Sequence, residues 1–327
     1  MEFERDTIIS YETVAEVTLC QEETLESIVP DACPDILRIV DVCGQATLSG
    51  KQAREGAAQV TGMVRACILY QPEGGGGLRR MEMGLPFTCQ AEAPGLTERG
   101  TVLASPRLRC AEARVLNPRK VLLRVDLAVD VTACQPSERP VCSGVTDCGT
   151  ENLCQKQYKG EDYLLCAVQE KPFTFSDQVR LQSGSGEAPV LLAARVQPVC
   201  TESKLIGSKL IFKGEVELYF LLQEPGGGLS AGHESMPFSQ IIEAVGAAEE
   251  GECQVDVEVA SFRCEQDPAD GREVDMELEL LAQAQVRCRR PVVLLQDLYS
   301  TSNLMEAERE NQPLCRLVEQ SVRPQAV

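Results

Sequence analysis

The 327-residue sequence contains no tryptophan and one histidine, His233. A single imidazole confines any Cys-His or Ser-His relay to its own surroundings. Those surroundings, GLSAGHESMPF, read as the polar side of a hairpin, where a solvated histidine is the plain expectation. With eight Phe and six Tyr, the aromatic platforms that hold single-stranded nucleic acid are scarce. Basic residues are also short: 31 Lys and Arg against 50 Asp and Glu leave a formal charge of −19, which repels phosphate backbones. Nucleic acid is therefore excluded as an expected partner. No run of about 18 apolar residues occurs, so no membrane insertion is expected. The first 30 residues are acidic and alternating, without the basic and apolar regions of a secretory signal. Synthesis in a cytoplasm is the corresponding expectation.

Other signatures are missing. No CxxC pair and no DxDxDG loop occurs, so neither a compact zinc site nor a calcium loop is expected, and no cofactor is implied. The glycine runs Gly74–Gly77 and Gly226–Gly228 join alternating segments and do not open a helix, which makes them hairpin tips and not phosphate cradles. Acidic residues such as Asp256, Glu258, Asp275, Glu277 and Glu279 alternate with apolar ones, the pattern of a solvated sheet face.

What the chain has in abundance is self-similarity. Residues 57–89 and 209–239 each carry a strand with an internal glycine (Gly62, Gly214) and a Pro-then-Gly loop after Pro72 or Pro225. Each then closes on a Pro-Phe pair, Pro86-Phe87 or Pro237-Phe238. The offset is about 151 residues. Arg109-Cys110 and Cys134 are answered by Arg263-Cys264 and Cys288, with 24 positions between the cysteines both times. Between them, Val121 to Val131 and Val274 to Val286 alternate with period two, the mark of strands with one buried face. Val60, Val64, Ala66, Ile68 and Tyr70 share a face, as do Phe212, Val216, Leu218, Phe220 and Leu222. One-faced burial predicts an all-β fold: two tandem antiparallel β-sandwich or open-barrel-like repeat units. Tyr70, Phe87, Tyr219 and Phe238 are expected inside them. The predicted division is 1–140 for the first unit with its N-terminal strand, 141–300 for a linker and the second unit, and 301–327 for a junction and the first element of a possible third.

Short helices are expected at 20–29 and 301–312. A surface linker is expected over about 135–160, where Pro136, Pro140, Gly144 and Gly149 fall. A fainter echo, Leu19-Cys20, Leu165-Cys166 and Leu314-Cys315, suggests that the tail from about Leu314 is the first strand of a further unit, one that can complete a neighbour's sheet. The 16 cysteines in a cytoplasmic chain read either as small buried hydrophobes or as later cross-links on an oxidising surface. Cys134, Cys142, Cys148 and Cys154 form the densest group and, with Cys315, are the candidate cross-linking residues.

The block from Pro34-Asp35-Ile36-Leu37 through the strand ending in Leu69-Tyr70, the Pro86-Phe87 pair and the closing alternating strand resembles the SPOCS domain of SipL-type spore coat morphogenetic proteins. Gln296-Asp297-Leu298-Tyr299-Ser300 is similar to the junction between successive units of that family. The resemblance implies a scaffold, made in the mother-cell cytoplasm and deposited on the forespore surface, whose partners are other coat proteins, including the SpoIVA-like coat-basement ATPase, or the chain itself as a homo-oligomer. Members of that type commonly carry a C-terminal LysM module, and no LysM-like sequence is found in this chain. The family pattern includes no catalytic residues. A non-enzymatic assembly protein is thus the leading expectation. The alternative is a recognition module that binds a protein partner or a cell-wall glycan through loops at the sandwich ends. An enzyme built on one reactive cysteine is disfavoured, because an activated thiolate needs a basic neighbour.

Overall fold

The computed structural model describes residues 2–146, 152–181, 187–244, 246, 251–306 and 308–316. They form twelve strands: β1 (Glu2–Ile28), β2 (Ile36–Arg54), β3 (Ala57–Pro72), β4 (Arg79–Glu92), β5 (Thr101–Asn117), β6 (Lys120–Thr146), β7 (Leu153–Arg180), β8 (Val190–Ile206), β9 (Lys209–Gln223), β10 (Leu229–Glu243), β11 (Glu252–Gln266) and β12 (Glu273–Ser300). Every pairing is antiparallel. The sheet orders are β2-β3-β4, β10-β9-β8 and, spanning both halves of the chain, β11-β12-β7-β1-β6-β5.

The alternating sequences explain why these are strands and which face each buries. In β4 and in the first part of β12 almost every second residue is buried and its neighbours are exposed, which is one face on a core and one in water. The sheet β2-β3-β4 packs on β1-β6-β5 around Val60, Val64, Ile68, Phe87, Leu123 and Leu127. The sheet β8-β9-β10 packs in the same way on β7-β12-β11 around Phe212, Val216, Leu218, Phe238, Leu278 and Leu280. Each half is a two-layer sandwich.

The internal glycines are required by a close approach. Gly214 is the cross-strand partner of both Phe238 and Cys200, and a Cβ on it would lie 2.1 Å from the Val199 carbonyl oxygen and 2.5 Å from Phe238 Cζ. Gly62 repeats the arrangement, with 2.3 Å to the Thr47 oxygen and 2.2 Å to Phe87 Cζ. In each case an aromatic ring lies over a bare glycine at the point where the opposite strand bulges, Leu48/Gly50 or Cys200/Glu202. This is the covering of a strand glycine by a cross-strand aromatic that pins register. The proline before each Phe sits on an edge strand, β4 or β10, where its missing N–H breaks no ladder.

Several expectations are corrected. Residues 20–28 continue β1 instead of forming a helix, because their partners Lys120 to Ala128 supply a full ladder. The described residues of 301–312 form no helix. The supposed linker over about 135–160 is strand on both sides: β6 runs to Thr146 and β7 starts at Leu153. Its prolines, Pro136 and Pro140, lie in β6 beyond Cys134, where pairing with β5 has ended and only the β1 ladder continues. His233 is solvated as expected, on strand β10 of the β9–β10 hairpin, stacked on Tyr219 at 4.8 Å between ring centroids with its Nε2 meeting Glu217. Tyr219, expected inside, is exposed. The acidic row is solvated except at Glu258, which is partly buried and lies near Lys51 and Arg107.

Candidate functional site

No helix among the described residues is long and apolar enough to cross a membrane, and no group of three or more metal-ligating side chains occurs among them. The chemistry of the chain is concentrated instead where its halves meet. Tyr11, Leu103 and Cys134 pack against Leu165 and Val168 of β7. Beside them Gln283 of β12, 3% exposed, closes two bonds on Ala104 of β5: its Nε2 donates to the carbonyl and its Oε1 accepts from the N–H, each 2.9 Å. Lys51 of β2, whose side chain is 8% exposed, pairs with Glu170 of β7 and also donates to Gln283. Burial lowers the Lys51 pKa, and the Glu170 carboxylate opposes it. Burial pushes Glu258 up to about 7, against a bond to Ser105 and the charges of Lys51 and Arg107 and together with Asp256. A polar network of this kind is stable only when each member is satisfied.

A second joint lies on the edge of β7. The first strand of the second half meets the first strand of the first half at one point, Tyr11 opposite Leu165. Tyr11 lies two positions before Thr13, the partner of Cys134, and Asp162 lies two positions before Leu164, the partner of Cys288. Tyr11 and Asp162 are therefore equivalent in the two halves. At Asp162 the edge of β7 receives the segment Pro313–Arg316. The Tyr163 N–H donates to the Cys315 carbonyl at 3.0 Å, and the Cys315 N–H donates to Asp162 Oδ1 at 2.8 Å. Asp162 is 1% exposed. Its other oxygen pairs with Arg139 of β6, and Arg139 also donates to the Pro313 carbonyl. Arg316 donates to the Tyr158 hydroxyl at 2.7 Å. One buried carboxylate thus ties both halves and the C-terminal segment together. Such a charge is tolerable only with its partners in place.

The candidate cysteines are distributed among different environments. Cys134 is buried, and burial raises its thiol, opposed by a bond with Thr13. Its inaccessibility argues against cross-linking. Cys142 is half-buried, its Sγ 3.5 Å from the Gly144 carbonyl. Cys154 is half-buried and lies opposite Tyr299 in the β7–β12 ladder, where it raises the Tyr299 pKa. Cys315 is exposed at the docked segment. Cys148 lies outside the described residues. Cys134, Cys142, Cys154 and Cys315 are free thiols. The joint at Arg139 and Asp162 escaped sequence reading, since a lone Asp and a lone Arg 23 positions apart carry no local signal.

Taken together, the fold and its joints define a protein made of two β-sandwiches fused through one continuous sheet, with the segment Pro313–Arg316 docked on its edge. Residues 190–267, which run from β8 through β11, match the family model described as SipL, SPOCS domain. The match falls in the second half of the chain, whereas Pro34–Leu37 and Pro86-Phe87, which carry much of the sequence resemblance, lie in the first. No curated protein and no solved structure matches the chain.

Proposed function

We propose that the protein is a non-enzymatic structural component of the bacterial spore envelope, a coat scaffold made in the mother-cell cytoplasm and deposited on the forespore surface. The observation that carries this reading is the match of residues 190–267 to the SipL SPOCS domain. In this reading the chain is two SPOCS-like units, 1–140 and 141–300, with 301–327 opening a third. The equivalent β1–β6 and β7–β12 pairings support it. A SpoIVA-like basement protein, other coat proteins and further copies of the chain are its partners. A fluorescent fusion expressed during sporulation is expected to form a ring around the forespore. A signal that stays diffuse in the mother cell through coat assembly would overturn the assignment.

Assembly follows from the second joint. The segment Pro313–Arg316 docks on β7 at Asp162, the position equivalent to Tyr11, where β1 meets β7. After β12 ends at Ser300, the described residues up to the docked segment have no regular structure. A tether of that kind lets the segment of one copy occupy the β7 edge of another, since exchange of an identical element is a low-cost route to oligomers. Cys315, exposed at the exchanged segment, would then be available for cross-linking, with Cys142 and Cys154 as partly accessible alternatives. Light scattering of the whole chain across a concentration series is expected to register dimers and longer species, and removal of residues 313–327 to leave monomers. Equal mass distributions for the two chains would rule the exchange out.

A further inference from the structure

A cleft of about 980 Å³ opens between the halves, with β2 and β3 on one wall and β8, β9 and β10 on another. Cys43 of β2 and Cys67 of β3 line it and are directly opposed in the ladder. The register is regular there, because the nearest bulges fall at Ile39/Asp41 and Leu48/Gly50. Directly opposed residues of an antiparallel pair have Cα atoms about 4.5–5.5 Å apart, inside the span a disulfide bridges without backbone movement. The two thiols are close enough for each to shift the titration of the other. Cys43 Sγ also lies 3.7 Å from the Cys67 carbonyl, and Cys67 Sγ 3.4 Å from that of Leu192, across the cleft. Both residues are half-buried and reachable from the cleft.

The second half places a different pair at the equivalent position. Cys67 falls five residues after Gly62 and Tyr219 five after Gly214, and the partner of Tyr219 is Arg195. The Arg195 guanidinium sits over the Tyr219 ring at 5.3 Å and lines the same cleft. Arg65, Arg80, Arg109 and Arg263 add positive charge around it, against Asp41, Glu82 and Glu265. The neighbouring Cys67 is the main influence holding the Cys43 thiol below its usual value. Burial and Asp41 oppose this, and Arg195 acts with it. Cys43 and burial in turn push Cys67 up. The basic neighbour that a chain with one histidine seemed unable to offer is an arginine, contributed from the other half.

We infer that Cys43 and Cys67 form a reactive dithiol that accepts small soluble disulfides, Cys43 as attacking thiol and Cys67 as resolving thiol. The Cys43 thiolate attacks one sulfur of a disulfide RS–SR, forming Cys43–S–SR and releasing RS⁻, which takes up the proton that Cys43 gave. Cys67, deprotonated in turn, attacks Cys43 Sγ, closes the Cys43–Cys67 bond and expels the second RS⁻, which is protonated to RSH. The two protein thiols are oxidised and the reagent disulfide is reduced to two thiols. The product is a cross-strand link between β2 and β3 on the wall of the inter-half cleft.

The test uses the whole chain, oxygen-free, with glutathione disulfide as the reagent, followed by acid quenching, alkylation and tryptic mapping. The expected first product links the peptide Ile39–Lys51 to Ala66–Arg79. Cys67→Ser is expected to accumulate a stable mixed disulfide on Cys43. Arg195→Gln is expected to slow the attack by roughly fivefold, the effect of losing one screened charge beside the thiolate. The assignment is overturned if Cys43 and Cys67 both stay alkylatable while other cysteines are consumed, or if Cys67→Ser collects no adduct on Cys43. Neither readout depends on a role in the spore envelope.

Discussion

Replacing Phe238 with alanine is expected to destabilise the second half by about 3–5 kcal/mol, the range for deleting a large buried aromatic side chain. Phe238 is 8% exposed and belongs to a three-ring cluster with Phe173 and Phe212, at centroid distances of 5.6 and 6.2 Å. It also covers Gly214, a strand position whose backbone has no side chain of its own to shield it. The loss therefore combines a cavity, broken aromatic contacts and an uncovered glycine. Relaxation cannot recover much of it, because Gly214 is held against the Val199 carbonyl by the bulge at Cys200/Glu202. Phe238→Leu keeps apolar volume but not the flat cover, so an intermediate loss is expected. Urea unfolding followed by far-UV circular dichroism checks the effect. The two sandwiches need not unfold as one transition, and the shift should fall mainly on the component that survives in a chain lacking residues 1–146. A loss below about 1 kcal/mol would mean that the ring does not carry the packing assigned to it.

The legible part of the fold was what period-two alternation and duplication can encode. Val60, Val64, Ala66, Ile68 and Tyr70 are buried as their spacing predicts, because one face of each strand meets a core and the other meets water. The matched glycines and Pro-Phe pairs mark equivalent strands, Gly62 opposite Phe87 and Gly214 opposite Phe238. Three kinds of information were not in the pattern. Strand length was one: Glu22 to Ser27 look mixed because β1 there is an exposed ribbon on β6, and prolines at 136 and 140 look like a linker although β6 still pairs with β1 there. Hairpin pairing was another. Cys43 and Cys67 are brought opposite each other by the tight turn at Glu55-Gly56, with Gly56 at φ 70°, and reading copy against copy does not compare the two arms of one hairpin. The third was the packing of one half on the other, which buries the Lys51 side chain and partly buries Glu258, charges that read as surface residues in the sequence. The cross-link candidates suffered from the same gap: Cys134 belongs to the densest group in sequence and is the most buried of the candidates in space.

That inter-half packing has a pH signature. Burial raises the Glu258 pKa from 4.5 to about 7, reinforced by Asp256 and opposed by Ser105, Lys51 and Arg107. An acid whose pKa is higher folded than unfolded binds its proton more tightly in the folded chain. Its contribution is fully present below about pH 4.5 and is lost as the pH rises through about 7. At 1.36 kcal/mol per unit the change amounts to roughly 2–3 kcal/mol, after allowance for the solvent that reaches this partly buried side chain. Glu258→Gln removes the titration while keeping shape and hydrogen-bonding capacity. The difference in unfolding free energy between wild type and variant is therefore expected to move in favour of the variant between pH 5 and pH 8. A flat difference over that interval would mean that Glu258 is solvated in the folded protein. If the difference does move, limited proteolysis tells whether the two sandwiches loosen at their joint or the second core itself weakens. A charge at Glu258 acting on the joint should expose cleavage sites near Lys51, Ala104 and Gln283 before those around Phe238, because the network that Lys51 and Gln283 close spans β2, β5, β7 and β12 while the aromatic cluster lies wholly within the second sandwich.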